Sequence, residues 1–149
     1  MTLTSTKDET IISIENIPST TTTSQIKPKI KQIISKAFFG KNNCLKVTFN
    51  NQRDCYFEFG TSKQEKWSWK KVKLNDGELG DILRVLEGKS LSVSFFHDFK
   101  GDKTQIWINK KDDLFFIKVR ELSKSLSTGE QRVLEELLKF MIMRSSLLF

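Results

Sequence analysis

Residues 91–117 read LSVSFFHDFKGDKTQIWINKKDDLFFI, and apolar side chains alternate with polar ones through much of this stretch. Lys100-Gly101 has the residue types of a two-residue hairpin turn, and Lys111-Asp112 provides a second candidate turn. The pairs that these turns predict are Phe95 with Ile106, Val93 with Ile108, Ile108 with Phe115, and Ile106 with Ile117. Both turns place the apolar side chains on one face, so the stretch predicts three antiparallel strands.

Three further strands are predicted from residue 44 onward. The alternating apolar positions are Leu45, Val47 and Phe49, followed by Cys55, Phe57 and Phe59. A three-residue loop at Asn50-Asn51-Gln52 keeps both sets on one face, whereas a two-residue loop would divide them between faces. The third strand is predicted from Trp67 to Leu74, with Val72 and Leu74 facing the core.

Each group of three strands is followed by a predicted helix with a capping box. Asn75 precedes Glu78 by three residues, and Ser127 precedes Glu130 by the same spacing. The chain is therefore predicted to contain two strand-strand-strand-helix units. The alternative is that two unrelated helices share this common motif.

The N-terminal part is predicted to contain a flexible segment, residues 1–24, and an amphipathic helix, residues 25–39. Pro28 suits a first helical turn and Gly40 can end the helix. The apolar positions at helical spacing are Ile26, Ile30, Ile33, Ile34, Ala37 and Phe38. The predicted fold class is α+β: an antiparallel sheet built from two strand-strand-strand-helix units, an N-terminal amphipathic helix and a long C-terminal helix. Residues 25–149 are expected to form one domain.

The composition favours a negatively charged partner. The net charge is +7, and the chain has 12 Phe and 3 Trp residues. Such a balance favours nucleic acid, acidic protein or an anionic surface, although it can also serve solubility alone. The chain opens without an apolar leader and has no stretch of about 20 apolar residues. We therefore expect an intracellular protein without a membrane partner.

Metal and cofactor chemistry is not favoured. The cysteines are Cys44 and Cys55, and His97 is the single histidine. A zinc site needs about four nitrogen or sulfur ligands, which one chain cannot assemble from these Cys and His residues. We expect two buried thiols, with a disulfide as the alternative for a hyperthermophilic source. No metal and no cofactor are expected.

Aromatic and basic side chains fall on the strand positions opposite the predicted core face. The residues predicted there are Trp67, Trp69, Lys71, Lys73, Phe96, Gln105, Trp107, Asn109, Phe116, Lys118 and Arg120. The predicted register sets Trp107 across from Phe116 and Gln105 across from Lys118. Trp and Phe rings can stack on unpaired bases, for about 1–3 kcal/mol per base, while Lys and Arg neutralise phosphates. The alternative is that these rings pack under a helix or in a dimer interface.

Some of these strands and the C-terminal tail resemble a known family. The segments are Trp67-Ser68-Trp69-Lys70-Lys71, Ser94-Phe95-Phe96-His97, Thr104-Gln105-Ile106-Trp107-Ile108-Asn109, and the leucine-rich tail. Across residues 44–149 they resemble archaeal ThermoDBP-type single-stranded DNA-binding proteins, and more loosely the Whirly and transcriptional positive-cofactor group. The likeness lies in residue types. It implies non-sequence-specific binding of single-stranded DNA by a dimer or higher oligomer.

Catalytic patterns are weak. His97 and Asp98 are adjacent on a predicted strand and therefore point to opposite faces. We expect His97 to contact phosphate or solvent. Asp112-Asp113 lies at a hairpin end, where carboxylates usually serve the turn, and no Gly-rich phosphate loop is present. The sequence predicts a binding protein and not an enzyme.

The C-terminal helix, residues 127–149, is predicted to mediate homodimerisation. The residues predicted at the dimer interface are Leu134, Leu137, Leu138, Met141 and Ile142. Burial in the chain's own core is an equally weighted alternative, and a membrane anchor is a third.

The predicted function is non-sequence-specific binding of single-stranded DNA. One alternative is a dimeric protein-interaction or transcription-adaptor module that does not bind nucleic acid. A second alternative is an RNA-binding protein. A nuclease is disfavoured, because its metals would need clustered acidic residues.

Overall fold

The computed structural model describes residues 29–147, which form two units with the same order of elements. Each unit has four strands followed by one helix. The first unit consists of β1 (Gln32–Phe39), β2 (Asn43–Asn50), β3 (Cys55–Lys63), β4 (Lys66–Leu74) and α1 (Asp76–Leu86). The second unit consists of β5 (Ser92–Phe99), β6 (Asp102–Lys111), β7 (Leu114–Val119), β8 (Leu122–Leu126) and α2 (Thr128–Ser146).

The strands form two separate antiparallel sheets, each a simple meander. Sheet 1 has the order β1-β2-β3-β4, and sheet 2 has the order β5-β6-β7-β8. The predicted fold class, with its three-strand units and N-terminal helix, is therefore wrong. The described chain is mostly antiparallel sheet with two helices. The predicted flexible segment, residues 1–24, lies outside the described residues.

The predicted N-terminal helix is replaced by strand β1. Residues 25–28 lie outside the described part of the chain, whereas Gln32–Phe39 pairs antiparallel with β2. The register shifts between Gln32 and Ile34, so one extra residue enters the strand there. This bulge interrupts the alternation of inward and outward side chains along β1. The apolar residues on either side of it therefore recur at a spacing that resembles that of a helix. Phe38 is buried, whereas Ile30 and Ile33 are exposed.

The fourth strand of the second unit, β8, was missed by the sequence analysis. Its sequence is Leu122-Ser123-Lys124-Ser125-Leu126, and Lys124 takes the central inward position between two leucines. Lys124 is nevertheless buried, and its Nζ donates to the Ser125 carbonyl oxygen at 3.1 Å. A lysine at an inward position hides the alternation, because lysine is seldom buried.

The two predicted turns of the second unit had different outcomes. Phe95 pairs with Ile106, and Val93 with Ile108, so the Lys100-Gly101 turn is confirmed. The prediction for the next turn is wrong. Lys111 pairs with Leu114, so Asp112 and Asp113 form the turn, and Ile108 pairs with Ile117 instead of Phe115. This shift of two residues in the pairing keeps every side chain on the same face, so the apolar pattern cannot detect it.

The apolar pattern of the first hairpin is confirmed. Phe49 pairs with Cys55, Val47 with Phe57, and Leu45 with Phe59. The connection is longer than the predicted three residues, because β2 ends at Asn50 and β3 begins at Cys55. The Asn50 side-chain oxygen accepts hydrogen bonds from the main-chain N–H groups of Gln52 and Asp54, which stabilises this longer loop.

Both helices begin at the predicted capping boxes. The Asn75 side chain accepts from the Glu78 main-chain N–H at 2.8 Å, and the Glu78 carboxylate accepts from the Asn75 N–H at 3.0 Å. Ser127 and Glu130 repeat this arrangement at the start of α2. No helix within residues 29–147 is long and apolar enough to cross a membrane.

A single apolar core joins the two sheets and the two helices. Its largest fully buried side chains are Phe49, Phe57, Phe115, Leu45, Leu79, Ile82, Ile106, Ile108, Ile117, Leu126, Leu134 and Leu138. Both cysteines are free thiols and buried. Cys55 Sγ lies 3.5 Å from Met141 Sδ, and burial raises the pKa of the Cys55 thiol to about 12.

Three residues of the predicted dimer interface lie in this core. Leu134, Leu138 and Met141 are fully buried within the chain, and Leu137 and Ile142 are partly buried. The exposed apolar side chains of α2 and its C-cap are instead Val133, Phe140, Met143 and Leu147. The apolar residues continue around the helix, so the sequence pattern alone could not separate the inward side from the outward side.

Candidate nucleic-acid interface

The outer face of sheet 1 carries the first group of predicted binding residues. Trp67, Trp69, Lys71 and Lys73 alternate along β4 with inward residues, and Val72 is one of the buried positions between them. Trp67 is 42% exposed and Trp69 is 48% exposed, so about half of each side chain remains accessible. All four predicted residues thus lie on the face expected from the alternation.

The two tryptophans form one aromatic platform. Their ring centroids are 5.7 Å apart and their planes differ by 21°. Gly60 pairs with Trp69 on the neighbouring strand, and a Cβ atom at this position would come within 2.8 Å of the indole ring. The absence of a side chain at Gly60 therefore lets the Trp69 ring lie across β3.

Two lysines of β4 interact with residues that the sequence analysis did not select. The Lys71 Nζ lies 4.2 Å from the centre of the Tyr56 ring, a cation–π contact. The Lys73 Nζ lies 3.2 Å from a carboxylate oxygen of Asp54. Tyr56 could have been identified from the sequence, since it occupies an outward position between the apolar residues Cys55 and Phe57.

The outer face of sheet 2 carries most of the other predicted residues. Those that the structure places on this face are Phe96, Gln105, Trp107, Asn109, Phe116 and Lys118. Phe96 is 61% exposed and Trp107 is 42% exposed, whereas Phe116 is only partly exposed. The expected alternation therefore holds on this sheet as well.

The neighbours of Trp107 differ from the predicted ones. Trp107 pairs with Lys118 instead of Phe116, and Asn109 pairs with Phe116, because the turn after β6 lies one residue later than predicted. On the other side Trp107 pairs with Ser94. The Lys118 Nζ lies 5.9 Å from the centre of the Trp107 ring. An exposed indole and a cation are thus adjacent on this face.

The predicted binding residues do not share one sheet. Four of them lie on sheet 1 and six on sheet 2, while Arg120 lies in the two-residue turn between β7 and β8. One continuous face was predicted, because nothing in the local pattern indicates where hydrogen bonding between consecutive strands stops. Helix α1 lies between β4 and β5 in the chain, and these two strands belong to different sheets.

Arg120 belongs to an ion cluster that connects the two sheets, formed by Lys70, Asp102 and Arg120. The Lys70 Nζ donates to Asp102 Oδ2 at 2.7 Å, and the Arg120 Nη2 donates to Asp102 Oδ1 at 2.6 Å. Lys70 lies on sheet 1, and Asp102 begins strand β6 of sheet 2. The hydrogen bond from Lys70, together with the charges of Lys70 and Arg120, lowers the pKa of Asp102 below its ordinary value.

Two clefts border the ion cluster. The first, here called the Tyr56 cleft, has a volume of about 430 Å³ and is lined by both Lys70 and Asp102. Its other lining residues are Tyr56, Lys71, Val72, Lys73, His97, Phe99 and Thr104. The second, the Trp69 cleft, has a volume of about 290 Å³ and is lined by both Lys70 and Arg120. Its other lining residues are Thr61, Lys63, Ser68, Trp69, Glu121 and Leu122.

His97 contacts a carboxylate, whereas the sequence analysis expected phosphate or solvent. Its Nε2 lies 2.6 Å from Glu78 Oε2, so Glu78 joins strand β5 to the start of α1. Asp98 points to the opposite face and accepts a hydrogen bond from the Gly101 N–H at 3.1 Å. Among residues 29–147, no group of three or more His, Cys, Asp or Glu side chains is arranged to hold a metal ion.

Comparisons with known proteins identify a fold likeness and no family. No family model matches the chain, and no curated protein matches it. One similar solved structure is described as crystal structures of MRP1/MRP2 from Trypanosoma bruciei. It has a TM-score of 0.50 and 14% sequence identity, over 83% of this chain and 89% of that one. At this identity the likeness concerns the fold alone.

Proposed function

We propose that this protein binds single-stranded DNA without sequence specificity, on the outer faces of its two sheets. The observation that carries the proposal is the placement of exposed Trp67, Trp69 and Trp107 next to exposed lysines. Lys71 and Lys118 lie on the same faces as these indoles. The net charge of +7 favours an anionic partner.

The physical basis is that stacking and phosphate neutralisation are needed at adjacent points. An unpaired base exposes a flat apolar face, and stacking it on an aromatic ring contributes about 1–3 kcal/mol. The phosphate attached to that base lies beside the ring, where a lysine can neutralise it and release counterions. Trp107 with Lys118 provides this combination on sheet 2. The indoles of β4 with Lys71 provide it on sheet 1.

The absence of sequence specificity is proposed for a related reason. Stacking accepts any base, since every base has an aromatic face. Gln105 and Asn109 lie beside Trp107 on the same face and can donate to or accept from base edges or sugars. The likeness of these strands to ThermoDBP-type proteins in residue types agrees with this proposal.

We further propose that the protein acts by binding and not by catalysis.

The direct test is a titration of a labelled strand of about 20 nucleotides, and of the matching duplex, across a series of salt concentrations. We expect the single strand to bind more tightly than the duplex, with quenching of tryptophan fluorescence. The logarithm of the affinity should fall with the logarithm of salt concentration, by about 0.7 per phosphate neutralised. An RNA strand of the same sequence, titrated in parallel, compares RNA with DNA.

Two results would contradict the proposal. Failure to bind either oligonucleotide at low salt would exclude a nucleic-acid interface and favour a protein-interaction module. Equal affinity for strand and duplex, without tryptophan quenching, would show that charge alone attracts the DNA. The stacking role of the indoles would then be wrong.

We also propose that two copies of the chain associate through the outward side of α2. Val133 and Phe140 lie seven residues apart on α2, and Leu137 falls between them. Alternating steps of three and four residues are those at which two helices pack along one seam. A two-fold interface uses the same patch on both copies, which this single stripe permits.

Sedimentation velocity tests the proposed association. Replacing Val133 and Phe140 together with serine should convert a dimeric species into a monomer. Because the Phe140 ring also packs edge-on against the buried Phe49, the melting temperature of the variant is measured in parallel to show that its fold is kept. A matched control replaces exposed Leu91, which lies outside both helices, with serine and should leave the dimer intact. A wild-type chain that sediments as a monomer at high micromolar concentration would refute the interface.

A further inference from the structure

The ion cluster between the two sheets has an arrangement suited to a phosphodiester. Both carboxylate oxygens of Asp102 are engaged, one by Lys70 of sheet 1 and the other by Arg120. A phosphodiester likewise presents two unesterified oxygens and one negative charge. Lysine and arginine bind phosphate oxygens with the same charge-assisted hydrogen bonds that they make to carboxylates. The two donors are therefore already held at positions that an anionic group with two oxygens can bridge.

The carboxylate that holds these donors is accessible to solvent. The Asp102 side chain is 54% exposed and that of Arg120 is 48% exposed, whereas that of Lys70 is 21% exposed. Ion pairs in such exposed positions contribute little to stability, because water solvates the separated charges well. Asp102 directly follows the Lys100-Gly101 turn at the tip of a hairpin, so rotation of its side chain needs no movement of the core. An incoming anion can therefore displace it at small cost.

The surroundings of the cluster are suited to a nucleic-acid strand. The Tyr56 cleft lies on one side and the Trp69 cleft on the other, and Lys70 lines both. The Tyr56 cleft offers the Tyr56 ring with Lys71 and Lys73. The Trp69 cleft offers the Trp69 ring with Lys63, and it is also lined by the acidic Glu121. A strand that passes from one cleft to the other must cross the ion cluster. Its backbone would meet Lys70 and Arg120 at that point.

We propose that Asp102 acts as a built-in competitor for phosphate, occupying between Lys70 and Arg120 the position that one backbone phosphate of the bound strand takes. The inference rests on the proposed function. It adds to that function the position of one bound phosphate and a reason why the affinity for the strand is limited, namely that Asp102 must be displaced. In the free protein Asp102 pairs with both cations and offsets one of their two positive charges. On binding, the phosphate replaces the carboxylate, and part of the binding free energy is used to separate Asp102 from its partners. The bound strand thereby contacts both sheets of one chain.

The opposing explanation is that Asp102 only ties the two sheets together. The two explanations differ in sign for the variant Asp102→Asn. If Asp102 competes with phosphate, the variant binds single-stranded DNA more tightly than the wild type. If Asp102 is a structural tie, the variant melts at a lower temperature and binds no more tightly.

The experiment measures the affinity of a single strand of about 20 nucleotides for D102N across a salt series, together with the melting temperature. We expect about fivefold tighter binding at about 50 mM salt and an unchanged salt slope, because the same number of phosphates is neutralised in both proteins and only the displacement of the carboxylate is removed. The matched control is D112N, which makes the same charge change in the turn between β6 and β7. It should alter affinity by less than about twofold, because Asp112 lies beyond the opposite end of β6 from Asp102 and therefore does not contact Lys70 or Arg120.

A second variant keeps the inference testable if D102N folds poorly. Lys70→Gln leaves the Asp102–Arg120 pair in place and removes one phosphate donor, so it should weaken binding about threefold or more. Its control is Lys89→Gln, in the connection between α1 and β5, which should leave affinity unchanged. If the wild type fails to bind, the proposed function is wrong. Two results with a wild type that binds would contradict only the inference about Asp102. The first is an affinity of D102N equal to or below that of D112N. The second is an affinity of K70Q equal to that of K89Q.

Discussion

Replacing Trp67 and Trp69 together with alanine is expected to weaken binding of single-stranded DNA by about 30-fold or more. Each indole can stack on one base for about 1–3 kcal/mol, so the smallest combined loss is about 2 kcal/mol. Both side chains are about half exposed and lie on the outer face of an edge strand, so their removal should leave the core intact. The measurement is fluorescence anisotropy of a labelled strand at several salt concentrations.

The salt series separates this loss from an effect on charge. Neither tryptophan is charged, so the salt slope should stay the same while the affinity falls at every salt concentration. Trp107→Ala, made in parallel, reports the contribution of sheet 2 and should cost about fivefold or more. Leu114→Ala is a suitable control, since Leu114 is 43% exposed and has no aromatic ring. Unchanged affinity of the W67A/W69A variant would remove sheet 1 from the proposed interface.

Replacing Leu138 with alanine is expected to lower the free energy of unfolding by about 2–5 kcal/mol. Leu138 is fully buried in the core that the two sheets and two helices share, and removal of such a side chain loses apolar burial and leaves a cavity. The effect should be the same at low and high protein concentration, because the side chain packs within its own chain. Urea unfolding followed by circular dichroism at two protein concentrations provides the measurement.

Met143 on the same helix provides the contrast. Its side chain is 59% exposed, so Met143→Ala should change the free energy of unfolding by no more than about 0.5 kcal/mol in the monomer. A loss for L138A that disappears at high protein concentration would place Leu138 at an interface between copies, as the sequence analysis expected. A loss below about 1 kcal/mol would mean that the helix does not pack against this core.

The alternation of side chains predicted which residues of the candidate site face outward. Trp107 and Lys118 lie on the outer face because each falls between inward apolar residues of its strand. Trp67 and Trp69 lie at the alternate positions that continue from Lys71 and Lys73, which flank the buried Val72. The starts of both helices could also be predicted from the sequence, because a capping box is formed by residues three apart in the chain. These are local properties, and each depends only on neighbouring residues.

Two features depended on contacts that local patterns do not record. Strand β1 imitates a helix because a bulge lies between Gln32 and Ile34, and only its pairing with β2 makes it a strand. The neighbours of Trp107 follow from the turn at Asp112. A register shift of two residues changes every partner while leaving every face unchanged.

The sequence by itself determined the inward and outward faces of most strands and the starts of both helices, because these follow from spacings within a few residues. The tertiary structure alone decided that the strands divide into two sheets and that Lys70, Asp102 and Arg120 meet between them. Lys70 and Asp102 are 32 residues apart, and Asp102 and Arg120 are 18 apart. Their contact depends on how the two sheets pack around the shared core, which is set by apolar burial over the whole chain and not by any local pattern.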